Sequence, residues 1–114
     1  MKITAKSIEE HLIKWQKIKK AWEAPVIPDD EATDENLTLF IFQSYLHIQS
    51  VADVSKKVNE LGFRTKSPAG NQVKYKSTDI SNTIRDCDIE DKDLQAICRW
   101  ILTDNSEYID YMYN

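Results

Sequence analysis

Residues 50–85, SVADVSKKVNELGFRTKSPAGNQVKYKSTDISNTIR, show the sharpest change of pattern in the chain. Ser50 and Asp53 open it with the spacing of a capping box, aspartate standing in for glutamate. Val51, Val54, Val58 and Leu61 then recur at helical steps, with Lys56, Lys57, Asn59 and Glu60 off that face. Gly62 stands where a helix C-terminus calls for positive φ. This spacing predicts a helix of about three turns. Beyond it the period shortens. Phe63 and Thr65, then Val73 and Tyr75, sit two apart on either side of the turn-forming Pro68-Ala69-Gly70-Asn71. A short hairpin or a long structured loop fits, and its polar positions are cationic: Arg64, Lys66, Lys74 and Lys76. Ser77 or Thr78 caps the following helix, and Asp79 favours its first turn. Ile80, Ile84 and Cys87 mark its buried side, while Ser81, Asn82 and Arg85 point elsewhere.

The flanks are simpler. Ser7 and Glu10 repeat the capping-box spacing, and Ile8, Leu12, Trp15, Ile18 and Trp22 line one face of a first helix. Pro25 and Pro28 end it. Trp15 and Trp22 are expected in the core, with contact to a second copy as the alternative, because residues 1–24 form an arm beyond an acidic loop. Asn36–Ile48 is nearly all apolar and unbroken over thirteen residues, which suggests a central helix buried on several sides. Leu94, Ile97, Cys98, Ile101 and Leu102 give a last helix, opening near Glu90 or Asp91. Tyr108, Tyr111 and Tyr113 extend it as a final turn on the core or as a contact surface. The expected organisation is an N-terminal helical arm (1–28), an acidic linker (29–35) and a helical, helix-turn-helix-like domain (36–114). The fold class is mostly α: a small domain of five helices with one short basic hairpin or loop.

Composition sets the outer bounds. The chain has 114 residues, 41% of them hydrophobic, with two glycines and three prolines, which fits one domain built on helices. The longest apolar run, Leu39–Phe42, is far short of the roughly 20 residues a membrane span needs, so no membrane partner is expected. The lysine-rich start is interrupted by Glu9 and Glu10 and does not read as a signal peptide. Two cysteines make no disulfide framework, and the reduced cytoplasm is the expected compartment.

The net charge of −4 conceals a strong pattern. Residues 1–28 carry +3, residues 29–43 carry −5 with five acids and no base, residues 44–85 carry +4, and residues 86–114 carry −6. One internal segment is therefore basic within an acidic chain.

No catalytic constellation is visible. His11 and His47 lack Cys, Asp or Glu partners at ligand spacing, and no glycine-rich phosphate loop is present. The acids of 29–35 and 86–93 lack the spacing of a calcium loop and read as solvated loops and helix starts. Cys87 and Cys98 read as small core residues. No enzyme activity, metal or cofactor is expected.

The informative constellation is helix, glycine, basic connection, then a polar helix. Val51-Ala52, Val58-Asn59-Glu60-Leu61-Gly62-Phe63-Arg64-Thr65 and Tyr75-Lys76-Ser77-Thr78-Asp79-Ile80 together resemble helix-turn-helix segments of bacterial and phage DNA-binding proteins. The resemblance is greatest to the recombinase-associated domain of large serine recombinases. It covers about 35 residues and includes no catalytic domain, so activity does not transfer. The connection Gly62–Lys76 is much longer than the tight turn of a standard repressor. The resemblance implies a small phage or mobile-element regulator that binds duplex DNA. Ser77, Thr78, Ser81, Asn82 and Arg85 would then face base edges. Lys56, Lys57, Arg64, Lys66, Lys74 and Lys76 would hold phosphates. The competing expectation is an acidic helical factor that binds or inhibits a host protein.

Overall fold

The computed structural model describes residues 5–113, and the side chains of all of these except residues 7, 8 and 104–113. The described residues form five helices and one two-stranded hairpin: α1 (Ala5–Glu23), a 3-10 turn (Asp29–Glu31), α2 (Leu37–Ile48), α3 (Val51–Glu60), β1 (Thr65–Lys66), β2 (Gln72–Val73), α4 (Ser77–Asp86) and α5 (Lys92–Tyr113). The fold is mostly α, as the sequence pattern leads one to expect.

α2 is the centre because it is apolar around most of its circumference. Leu37, Phe40, Ile41, Phe42, Tyr45 and Leu46 are all buried, and the helix packs on α3, α4 and α5. α3 and α4 bring Val54, Val58, Ile80 and Ile84 into the same cluster, each fully buried. α5 closes it with Leu94, Ile97, Cys98 and Leu102. The Cys98 thiol donates to the Phe42 carbonyl at 3.3 Å. Burial, and then the charge of Asp91, pushes that thiol up to about 12.

α3 is fixed at both ends by local chemistry. The Ser50 hydroxyl accepts the Asp53 N–H at 3.2 Å. At the other end Gly62 has φ +93°, the Gly62 N–H reaches the Asn59 carbonyl and the Phe63 N–H reaches the Val58 carbonyl, both at 3.0 Å. These two bonds are the Schellman closure, and Phe63 folds onto the core beside Val58.

Two helix starts differ from the sequence-based expectation. α4 begins one residue earlier than a Ser77 or Thr78 cap requires, with Lys76 at the N-cap. The Asp79 carboxylate explains it: it accepts the Lys76 backbone N–H at 2.7 Å and puts a negative charge on the helix's positive end. α1 is already helical at Ala5, so Ser7 lies within the first turns rather than at their cap. The α5 backbone continues to Tyr113, while the side chains of Tyr108, Tyr111 and Tyr113, expected on the core or at a contact surface, lie outside the described residues.

α1 also corrects the expectation that its tryptophans enter the core. Lys14, Ile18 and Ala21, at steps of four and three, form the stripe that faces the body. Trp15 and Trp22 lie one position further round and remain 60% and 46% exposed. A helix lying on the outside of a complete core buries one narrow stripe, and here Ile18, Ala21 and the stem of Lys14 occupy it. The Lys14 ammonium sits 3.5 Å from the centre of the Trp100 ring, and Lys17 pairs with Asp93 at 3.8 Å. The connection 24–36 is held as well: the Ile27 N–H donates to the Gln43 side chain at 2.8 Å.

Candidate nucleic-acid interface

The hairpin grows directly from the end of α3. Thr65 pairs with Val73 and Lys66 with Gln72, antiparallel. A three-residue loop, Pro68-Ala69-Gly70, closes it, with Gly70 at φ +86° and the Ser67 N–H on the Asn71 carbonyl at 2.8 Å. A left-handed glycine as the third loop residue is a common hairpin solution. Strand alternation then sorts the side chains. Phe63, Thr65, Val73 and Tyr75 are half-buried on the inner side, whereas Arg64, Lys66, Gln72 and Lys74 are exposed on the outer side. Lys76 continues that exposed alternation into the start of α4.

On α4 the buried residues Ile80 and Ile84 leave Thr78, Asn82 and Arg85 exposed at steps of four and three, a single outward stripe. Arg85 Nη1 donates to Asn82 Oδ1 at 3.4 Å. Ser77 and Ser81 flank this stripe and are half-buried, and the Ser81 hydroxyl donates to the Ser77 carbonyl at 3.2 Å. The Ser81 hydroxyl therefore lies against its own helix.

The remaining predicted cations are placed differently from the hairpin set. Lys57 pairs with Asp29 at 3.0 Å and lies 5.2 Å from the centre of the Phe40 ring. Lys56 is exposed, but Asp53 and Glu60 occupy positions three before and four after it on the same outward face of α3. Arg64 Nη1 donates to the Phe63 carbonyl at 2.6 Å and to the Asn59 carbonyl at 3.1 Å, so one edge of its guanidinium caps α3. Lys66 and Lys74 have neither an acid nor a ring as partner among the described residues.

Two residues of this region carry no assignment from the sequence. Gln72 shares the outer face of the hairpin with Lys66, and simple alternation from Val73 would have found it. Asn59 is the other. Its Oδ1 accepts the Tyr75 N–H at 2.7 Å and its Nδ2 donates to the Tyr75 carbonyl at 3.0 Å. Local spacing puts Asn59 off the apolar face and within the helix-turn-helix resemblance but gives it no role, because its partner is sixteen positions away. The Tyr75 phenol is raised from its usual range by burial first, then by the carboxylates of Asp79 and Asp34.

Elsewhere, Trp15, Trp22 and Trp100, all three tryptophans of the chain, line one open apolar groove of ≈ 210 Å³ with Ile18, Leu46, Gln49 and Ile101. Among the described residues no group of His, Cys, Asp and Glu is arranged to hold a metal ion, and no helix is long and apolar enough to cross a membrane. Compared with protein-family models, curated proteins and solved structures, the chain matches none.

Proposed function

We propose that this protein binds duplex DNA without catalysis, as a small regulator of the phage or mobile-element type that its resemblance implies. One observation carries the reading. The outer face of the hairpin presents Lys66 and Lys74 uncompensated, with part of Arg64, and the chain then passes through the exposed Lys76 into α4, whose outward stripe is Thr78, Asn82 and Arg85. Cations at a strand spacing of two suit a phosphate backbone. A following helix with Asn and Arg exposed on one face offers groups that hydrogen-bond base edges. Ser77 and Ser81 contribute at the margin of that face and Lys56 at its periphery, while Lys57 is held by Asp29. The chain's net charge of −4 makes the attraction local, so binding is modest and falls steeply with salt. Titration of a fluorescent mixed-sequence duplex with the full chain, at about 50 mM and 200 mM salt, tests this. Saturable binding that weakens with salt is expected. No binding at the lower salt ends the reading.

A second reading, binding to a protein, is favoured by the three-tryptophan groove. Leu12, Trp15 and Trp22 leave an apolar stripe open on α1 beside it. The partner is a second copy of this chain or a host protein. Light scattering of the full chain at about 0.2 mM separates these: if a second copy sits on α1, the mass is twice 13.3 kDa and Trp15→Glu returns it to 13.3 kDa. A monomer for the unaltered chain removes the homodimer.

A further inference from the structure

A two-stranded hairpin with two paired residues on each strand does not hold its own shape in water. This one must be held from outside. Two contacts do so on its inner face, where Phe63 and Tyr75 pack against the core. The third is polar and comes from a single side chain. The Asn59 carboxamide meets both backbone groups of Tyr75, at 2.7 Å and 3.0 Å, as a neighbouring strand would. The main-chain carbonyl of Asn59 meanwhile accepts from the Gly62 N–H and from Arg64 Nη1. One residue at the end of α3 thus ties down the helix closure, the outgoing strand and the returning strand. The returning strand leads straight into α4: Tyr75 lies two residues before Ser77.

We propose that Asn59 is the positioning residue of the interface: it sets the angle between the cationic face of the hairpin and the outward stripe of α4, so that phosphates and base edges of one duplex are met together. The inference rests on the duplex reading above. Asn59 touches no nucleic acid in this scheme. It acts by holding Tyr75, and through it Lys74 and Lys76, in place before the encounter. Without the clasp the lysines keep their charge, and the ordering of the hairpin falls on the binding step.

That division gives a signature that a phosphate contact does not share. Lys74→Ala removes one phosphate contact and lowers the slope of log affinity against log salt by about one. Asn59→Ala removes no cation but frees the hairpin, so affinity falls roughly tenfold at each salt concentration while the slope is unchanged. Amide hydrogen exchange of the full chain supplies the second readout: the Tyr75 amide loses protection in Asn59→Ala, and the α2 amides do not. Asn59→Gln keeps the amide donor and acceptor but sets them one methylene out of register, adds no charge, and lies between the unaltered chain and Asn59→Ala in both measurements. It also serves if Asn59→Ala fails to fold. An Asn59→Ala or Asn59→Gln protein with undiminished duplex affinity overturns the proposal. So does a loss of affinity accompanied by a fall in salt slope. Failure of the unaltered chain to bind duplex is a different result, and ends the duplex reading itself together with this one.

Discussion

Lys14, Lys17 and Lys57 are held by groups of their own chain, whereas Lys66 and Lys74 on the hairpin are not. Bond strength is not the important difference. Exposed ion pairs contribute at most about 1 kcal/mol, and a polyanion can displace them. What differs is the field. A lysine beside a carboxylate presents little net charge at the Debye length of about 8 Å, while an uncompensated one presents its charge in full. Anchoring differs in the same sense. α1 lies on the body through side chains, Lys14 on Trp100 and Ile18 and Ala21 on the core, and leaves aromatic surface open. The hairpin is held by Phe63 and Tyr75 on the core and by the Asn59 side chain on the Tyr75 backbone, and leaves charge open. The two appendages of the core therefore differ in what they leave exposed: apolar surface on α1, ordered charge on the hairpin.

The sharpest way to break this comparison is to reverse the hairpin's charge. Lys66→Glu with Lys74→Glu is expected to weaken duplex binding by about a hundredfold or more at low salt, since two phosphate attractions become repulsions. Lys14→Ala with Lys17→Ala is expected to change it less than threefold, because those ammonium groups are committed elsewhere. Equal losses from the two pairs would show that only total charge matters and that the hairpin has no special standing. Both side chains on the hairpin are exposed, so thermal unfolding should move little for that pair.

Arg85→Ala probes α4 apart from the hairpin. If Arg85 reads a base edge, the loss is about 1–3 kcal/mol for a preferred site and far smaller for random duplex. Selection from a random duplex library gives the preferred site, and competition binding measures both values. A loss that is the same for all sequences would move Arg85 from the reading stripe to the phosphate set.

The chain discloses those parts of this arrangement that depend on near neighbours. The Ser50 cap and the Gly62 closure of α3 are legible because their partners lie within five residues, and the apolar run of α2 announces its burial. Pro68-Ala69-Gly70 announces the hairpin turn for the same reason. Long-range choices are not legible. Which stripe of α1 meets the body depends on the surface offered by α5, so periodicity alone sends Trp15 and Trp22 inward. Asn59 looks like one more polar residue until the chain returns sixteen positions later and places Tyr75 against it. Lys57 looks like a phosphate ligand until Asp29, on the far side of α2 in sequence, meets it.

That last pair gives the smallest and most discriminating test. Asp29 is more than half exposed and Lys57 about one-third, so Asp29→Asn should change stability by less than about 1 kcal/mol, seen as a small shift in the urea midpoint. Its effect on duplex binding separates two places for Lys57. If the lysine stays beside the Phe40 ring, where its stem is already sheltered, affinity changes less than threefold and the salt slope is constant. If release from Asp29 lets it swing to a phosphate, affinity rises and the slope steepens by about one. In that event the acidic loop restrains a duplex contact, and Lys57 joins the hairpin lysines as a member of the same electrostatic surface. The first outcome is expected, because the Lys57 side chain is only about one-third exposed and lies beside the Phe40 ring, whereas Lys66 and Lys74 stand exposed on the outer side of the hairpin.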